Sequence, residues 1–278
     1  RLYLSLGGDV RWRAEKFSNP AFGTETEDTD GQLLQRYLFH ADFHWKNSLR
    51  GFFQLQSSTV SGRLLGPRPT DRDEVDVHQA FVDYKFGERL SSTSVIRVGR
   101  QEIELGSARL ISVRDALNIR LSHDGIRFIN ETNSRYLTAF FVRPVIASPG
   151  SFDNNPASSG YLWALASLYR NQSGWFPGYV LFYHGHDKLS ARYEAGVGDE
   201  TRHTVGIRAW GMADKPWDSE FSLILQGGRF ANQSIQAWGM TTDGGFTFEQ
   251  ADWKPRIGLK VNVASGDTDR TDGVLGTY

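Results

Sequence analysis

Residues Pro255–Asp267 read PRIGLKVNVASGD, and they divide by parity. Ile257, Leu259, Val261 and Val263 are aliphatic, whereas Arg256, Gly258, Lys260, Asn262 and Ala264 are basic, polar or small. A β-strand turns alternate side chains to opposite faces, so this segment is a strand with one aliphatic and one polar face. In a soluble β-sandwich the aliphatic face would meet a core and the basic face would meet water. In a membrane barrel the aliphatic face would meet lipid and the basic face a water-filled lumen. What meets the aliphatic face therefore decides the fold.

The same alternation recurs along the chain. DVRWRAE sets Val10, Trp12 and Ala14 against Asp9, Arg11, Arg13 and Glu15. RYLFHADFHWK sets Tyr37, Phe39, Ala41, Phe43 and Trp45 against Arg36, Leu38, His40, Asp42 and His44. LRGFFQLQ opposes Phe53 and Leu55 to Arg50, Phe52, Gln54 and Gln56, and QAFVDYKF opposes Val82, Tyr84 and Phe86 to Gln79, Phe81, Asp83 and Lys85. VIRVGRQ and GIRFI place Arg97 and Arg127 opposite Val98 and Ile126. Further strands are expected at 135–146, 161–171, 176–185, 201–211, 217–230, 235–249 and 255–266. The faces of RYLTAFFVRPV, YLWALASLYR and GYVLFYHG are not assignable by parity. Roughly thirteen strands result, many of about ten residues, which is the ~9–11 needed to cross a bilayer on a tilt rather than the ~5–6 of a soluble strand.

Connections alternate in length. Long ones are expected at 17–33, 59–74, 104–121, 147–160 and 186–200. Short ones are KNS, GERLSS, ETNS, NQSG, ADKP and EQADWK. Short turns at one rim and long loops at the other, with Trp45, Phe86, Trp217 and Trp253 near strand ends, match an outer-membrane barrel better than a sandwich, solenoid or lectin-like protein. Aromatic residues make up 13% of a chain whose mean hydropathy is only −0.43, which points the same way. No apolar run approaches the ~20 residues of a membrane helix. The net charge of −1 does not suggest nucleic acid, and the absence of cysteine removes disulfide, thiolate-metal and cysteine-nucleophile chemistry. The opening RLYLSLGGDVRW does not read as a signal peptide, so the chain is expected to be mature or trimmed at its start.

IRVGRQEIELGSARLISVRD followed by NIRLSHDGIRF resembles the signature of the alginate export family of outer-membrane barrels. EVDVHQAFVDY, FFVRPV, RHTVGIRAWG and WKPRIGLKVNVASGD are also similar, and the likeness runs from about residue 8 to the end. It implies an 18-stranded, monomeric, up-and-down transmembrane β-barrel with a basic lumen that passes an anionic polysaccharide or, in many members, another solute. Against that pattern, DGVLGTY falls inside an expected long extracellular loop, so residues 1–278 read as one barrel domain with about five closing strands missing.

Parity points Arg11, Arg13, Arg36, Arg50, Arg97, Arg127, Arg256 and Lys260 inward, with Arg208 less clearly placed. Asp9, Glu15, Asp42 and Asp83 share that face, and Glu220 and Asp243 are further candidates. Guanidinium groups offer fixed forks of donors to carboxylates, and many weak sites let a polyanion advance by exchange. The plainer reading is that Arg–carboxylate pairs fill and stiffen the wall. The long segment ELGSARLISVRDALNIRLSHDG carries Arg109, Arg114 and Arg120 and either folds inward as a constriction or faces solvent.

Metal and catalytic readings are weaker. Carboxylates in TETEDTD and SGDTDRTD are of a kind that binds calcium, and DTDRTDG somewhat resembles a calcium loop, but it lacks the terminal bidentate Glu and lies in a strand context. His40 and His44 would lie ~13 Å apart on a strand, and His184 and His186 have no evident third ligand. Ser190 and His203 are selected by nothing as a lipase-like pair, and P-loop, G-x-S-x-G and dinucleotide motifs are absent. The expected function is a passive, cofactor-free bacterial outer-membrane channel for an anionic polysaccharide such as alginate, contacting lipid and periplasmic export partners but no nucleic acid. Alternatives are a porin for small organic acids or a carbohydrate-binding β protein.

Overall fold

The computed structural model describes residues 2–24, 31–89, 91–170, 178–211, 216–269 and 271–278, without the side chains of 20, 21, 88 and 89. In chain order the strands are β1 (Leu2–Glu15), β2 (Gln32–Trp45), β3 (Leu49–Ser61), β4 (Asp73–Arg89), β5 (Ser92–Gln101), β6 (His123–Thr132), β7 (Arg135–Ile146) and the two-residue β8 (Asn155–Pro156). There follow β9 (Tyr161–Arg170), β10 (Gly178–Tyr193), β11 (Gly196–Gly211), β12 (Trp217–Phe230), β13 (Gln233–Thr247), β14 (Arg256–Ala264) and the short β15 (Val274–Leu275). One helical turn, α1 (Pro20–Gly23), lies in the first long connection. Apart from β8 and β15, each strand is hydrogen-bonded to its neighbour in sequence, in the order β1 to β7 and then β9 to β14. Thirteen up-and-down strands of 9 to 17 residues are enough to cross a bilayer on a tilt. No described helix is long and apolar enough to do so.

Exposure answers which face meets what. Phe39 on β2 is 58% exposed, whereas Arg36, three residues before it on the opposite face, is 3% exposed. In the opening segment Leu259 is 72% exposed, but both faces of β14 are exposed, so its outward face is assigned by its alternation and not by burial. A soluble sandwich would show the reverse, since it buries aromatics and solvates guanidinium groups. Trp12, Phe43, Phe53 and Val98 are likewise outward and exposed. The chain is therefore an all-β transmembrane wall with a lipid-facing exterior and a polar interior.

By packing, the chain forms two compact units. The first comprises residues 1–86, 95–126 and 143–158. There Arg11 lies opposite Arg36, and Phe52 opposite Phe81, across neighbouring strands. Gly99 on β5 has φ 129°, and a Cβ there would clash with the Ala80 carbonyl oxygen. Only glycine lets β5 approach β4 at this point of the VGRQ segment.

The second unit comprises residues 87–94, 127–142 and 159–278. Its register settles the segments whose faces parity left open. Thr138 pairs with Ala166 and Phe140 with Ala164, and all four are buried on the inner face, while Phe141 and Leu165 are exposed outside. Both faces are apolar there, which is why alternation carried no signal. The expected long connection at 186–200 is not a loop. β10 and β11 continue through it to a tight turn at Glu194–Ala195. Their register shifts between Lys188 and Ala191, where Ser190 has φ 52°. The charged and glycine-rich residues that suggested a loop instead sit on a strand extension, whose inner face buries Ala191 with Phe230, Ile235 and Leu275.

An arginine at position 39, near the middle of β2 and facing lipid, is expected to cost ~2–4 kcal/mol. Urea titration of Phe39→Arg in lipid vesicles measures it, and unchanged stability would contradict the lipid-facing assignment.

Candidate functional site

The upper inner wall of the first unit places three cations together. Arg11 and Arg13 share a face of β1, and Arg36 lies directly opposite Arg11 on β2. Like charges so placed repel unless acceptors converge on them. The connection 102–122 supplies most of these acceptors by folding against the wall, and β1 itself adds Glu15, 2.9 Å from Arg13, and Asp9, 3.7 Å from Arg36. Arg11 donates to the carbonyl of Asp115 at 2.5 Å and to that of Leu117. Arg13 donates to the carbonyl of Ala116. Arg36 donates to the carbonyls of Asp115 and Leu117 at 3.2 and 3.3 Å and to Asp115 Oδ1 at 2.8 Å. Burial pushes the Asp115 carboxyl upward, but the Arg36 hydrogen bond and the charges of Arg36, Arg120 and Arg11 outweigh it and hold the group below the usual carboxylate range.

Asn118 anchors the base of this loop. Its side chain is 1% exposed and donates from Nδ2 to the carbonyls of Gln35, Thr59 and Asp71 at 3.1, 3.0 and 2.8 Å. The main-chain carbonyl of Asn118 accepts from Ser58 Oγ at 3.0 Å. Ile119 N–H donates to the Thr70 carbonyl, and Ile103, Ile111, Val113 and Ile119 are buried beneath. Of the three loop arginines, Arg120 donates to Glu102 at 2.9 Å and lies 3.6 Å from Asp115. Arg109 and Arg114 are exposed.

The GRQE stretch explains how the loop is held. Arg100 donates to both oxygens of Asp124, at 2.8 and 3.1 Å, and to the carbonyls of Val77 and Asn154. Gln101 donates to the carbonyls of Gly99 and Gly125. Glu102 takes His78 Nε2 at 2.7 Å and Arg120. Asn154 in turn donates to Asp73 Oδ2 at 2.8 Å. The motif is a clasp that ties β4, β5, β6 and two connections together.

Nearer the short turns, Arg50 forks onto Asp42 at 2.8 and 2.9 Å and reaches Asp83 at 3.3 Å. Arg97 forks onto Asp83 at 2.7 and 2.9 Å and lies 3.7 Å over the Phe81 ring. Phe81 stacks on Phe52, and Phe52 on His40. A cavity of about 470 Å³ opens beside this group, with Tyr3, His44, Lys46, Arg50, Asp83 and Lys85 in its lining.

In the second unit Arg127 donates to the hydroxyls of Thr138 and Tyr136, each at 3.0 Å. Arg208 forks onto Glu220 at 3.0 and 2.9 Å. Arg256 bridges Asp218 and Asp243, and Lys260 lies 4.0 Å from Asp243. One polar group was hidden by reading 186–200 as a loop. Buried Glu200 accepts from Arg202 at 2.6 Å and from Tyr193, with His186 at 3.6 Å.

His44 stacks on Tyr3 and lies 3.0 Å from Asp42. Asp269 accepts from Thr271, and Asp272 from the Val274 N–H, in local turns. The acidic stretch 25–30 lies outside the described residues. Among the described residues no group of three His, Asp or Glu could hold a metal.

Residues 2–278 match the family model described as Alginate export. OccAB3 of Acinetobacter baumannii aligns at a TM-score of 0.50 and 12% identity, covering 100% of this chain and 71% of that one. OmpF of Salmonella typhi, solved in complex with daunomycin, aligns at 0.45 and 14%, covering 99% and 94%. The search of curated proteins returned no match. With an up-and-down order of strands that turn aromatic residues outward, the chain belongs to the alginate export family of bacterial outer-membrane β-barrel channels.

Proposed function

We propose that this channel passes an anionic polysaccharide, such as a polyuronate, along a basic inner wall, with connection 102–122 narrowing the path. The observation that carries the reading is the nature of the acceptors. Arg11 donates to the main-chain carbonyls of Asp115 and Leu117, which do not cancel its charge, and the Asp115 carboxylate lies 4.0 Å away, whereas Arg13 donates to the Ala116 carbonyl and is also paired with Glu15 at 2.9 Å. Arg127 donates to the hydroxyls of Thr138 and Tyr136. Arg50, Arg97, Arg208 and Arg256 instead face carboxylates and contribute less to the field. Upper-wall charge at a narrow point would favour anions, and several weak contacts would let a polymer move by exchange. The chain would act alone as a monomer in the membrane, with periplasmic export partners delivering the polymer. The 470 Å³ cavity beside Lys46 and Arg50 favours a second reading, a porin for small organic acids.

Reversal potential across a planar bilayer under a salt gradient tests the proposal. Anion preference is expected, weakening as salt rises, because the Debye length falls from about 8 Å at 0.15 M to about 3 Å at 1 M. A short oligouronate should interrupt the current more than a monocarboxylate at equal charge concentration. Cation preference would overturn the basic-wall reading, and equal effects of the two anions would favour the small-acid porin.

A further inference from the structure

We propose that the outward face of the second unit holds one phosphorylated glycolipid of the outer leaflet, with an acyl chain in an apolar groove and a phosphate on His203 and Arg229. The inference rests on the membrane assignment of the wall and is independent of what the channel passes.

The strand register builds the site in rows. Phe141, Trp163, Gly185, His203 and Gly227 lie in one line across β7, β9, β10, β11 and β12. They stand on the face that exposes Phe141, Leu165, Val205 and Leu225. A Cβ at Gly185 would fall 2.5 Å from the Trp163 ring, so glycine lets the indole lie across β10 towards His203. The centroids of the two rings are 6.0 Å apart. Trp163 Nε1 donates to the Tyr183 hydroxyl at 2.9 Å, and that hydroxyl meets His203 Nδ1 at 2.9 Å. An indole only donates, so the Tyr183 oxygen accepts from it and gives its own proton to Nδ1. The imidazole proton then sits on Nε2, which is left as a donor outside this relay. On the other side of His203, a Cβ at Gly227 would meet only the Ile235 carbonyl oxygen, at 3.8 Å, so the space beside the imidazole is open.

Apolar and polar parts adjoin along this row. On its short-turn side Leu137, Leu165, Leu181, Val205, Leu223 and Leu225 line a groove of about 590 Å³, with Tyr183 at its head. On its other side runs the row Tyr161, Asp187, Thr201 and Arg229. Asp187 accepts from the Tyr161 N–H, and exposed Arg229 stands at the far end, a diagonal neighbour of His203. Height along the strand fixes the leaflet. Tyr161 and Tyr169 bound β9 and stand ~27 Å apart along it, which on a tilt spans most of a barrel's ~25 Å apolar band. Tyr169 stacks on Tyr179 on the short-turn side, the periplasmic side of outer-membrane barrels. The His203 row therefore meets the outer leaflet, whose lipid is an acylated, phosphorylated sugar. One acyl chain fills the groove, the phosphate takes donors from His203 Nε2 and Arg229, and the stacked Phe141 and Tyr161 border the sugar.

Native mass spectrometry of the full-length channel, released from detergent with added lipid, reads the site. Bis-phosphorylated lipid A is expected to stay bound, and its dephosphorylated form to bind about tenfold more weakly, as charged hydrogen bonds are lost. His203→Ala and Arg229→Gln should each weaken the phosphorylated lipid severalfold and leave the dephosphorylated one unchanged. Gly227→Leu fills the space beside the imidazole and should weaken both lipids. Tyr169→Ala, at the other end of β9, should change neither. Retention of phosphatidylglycerol equal to that of lipid A would overturn the choice of a glycolipid. Wild-type retention in His203→Ala/Arg229→Gln would overturn the site. Losses as large in Tyr169→Ala would reduce the row to an ordinary aromatic belt.

Discussion

Asn118→Leu is expected to raise single-channel conductance several-fold and to destabilise the protein by roughly 2–5 kcal/mol. Leucine has nearly the same size, so packing volume is kept. What is lost is the donor pair that serves the carbonyls of Gln35, Thr59 and Asp71. A buried acceptor left without a donor costs ~1–3 kcal/mol, and the strand carbonyls can recover part of this through ladder bonds. The same change unties the base of connection 102–122 from both β2 and β3, so the whole loop, rather than its tip, can leave the wall. Ser58→Ala removes a single bond to the Asn118 carbonyl and should cost about 1 kcal/mol with little change in conductance. Urea unfolding in vesicles and bilayer recording measure the two effects separately. Lower stability at wild-type conductance would show that the loop does not narrow the path.

That keystone was not visible in the sequence. Asn118 sits in NIRLSHDG, a stretch that reads as a polar connection, and its partners are main-chain atoms, which leave no side-chain pattern. The strands with charged inner faces were legible, because period-2 alternation of Arg, Asp and Gln against Phe, Trp and Val is incompatible with any other arrangement in lipid. The parity that put Arg11, Arg36 and Arg50 on one face is the parity the register shows, and Arg97 meets Asp83 on that face. Alternation failed where it carried no contrast. Around Phe140, Ala164 and Val180 both faces are apolar, and only pairing assigns them. It misled at 186–200, where a strand continues beyond the need to cross lipid, so its outward residues are free to be polar. The GRQE motif was legible as a family mark but not as a clasp, since Arg100 and Glu102 reach residues up to 54 positions away.

The distinction between wall charge and wall filler rests on Asp83. This carboxylate is 7% exposed and serves two guanidinium groups, Arg97 at 2.7 and 2.9 Å and Arg50 at 3.3 Å. Asp83→Asn removes one negative charge and leaves Asp42 as the carboxylate bonded to Arg50. Arg97 keeps its place over Phe81, a contact worth ~0.5–2 kcal/mol. The wall should then become more strongly anion-preferring. Arg97→Gln removes one positive charge at the same spot and should move the reversal potential the other way. Both variants break a largely buried pair and should each lose ~3–5 kcal/mol, so damage to the fold cannot account for opposite electrical signs. The double variant Asp83→Asn/Arg97→Gln restores the local charge balance and should return the reversal potential close to wild type. At 1 M salt the three should converge, because the Debye length of about 3 Å is shorter than the distance from wall to pore axis. Equal reversal potentials at low salt in both single variants would mean that this part of the wall is packing, and would confine selectivity to the arginines held by carbonyls above it.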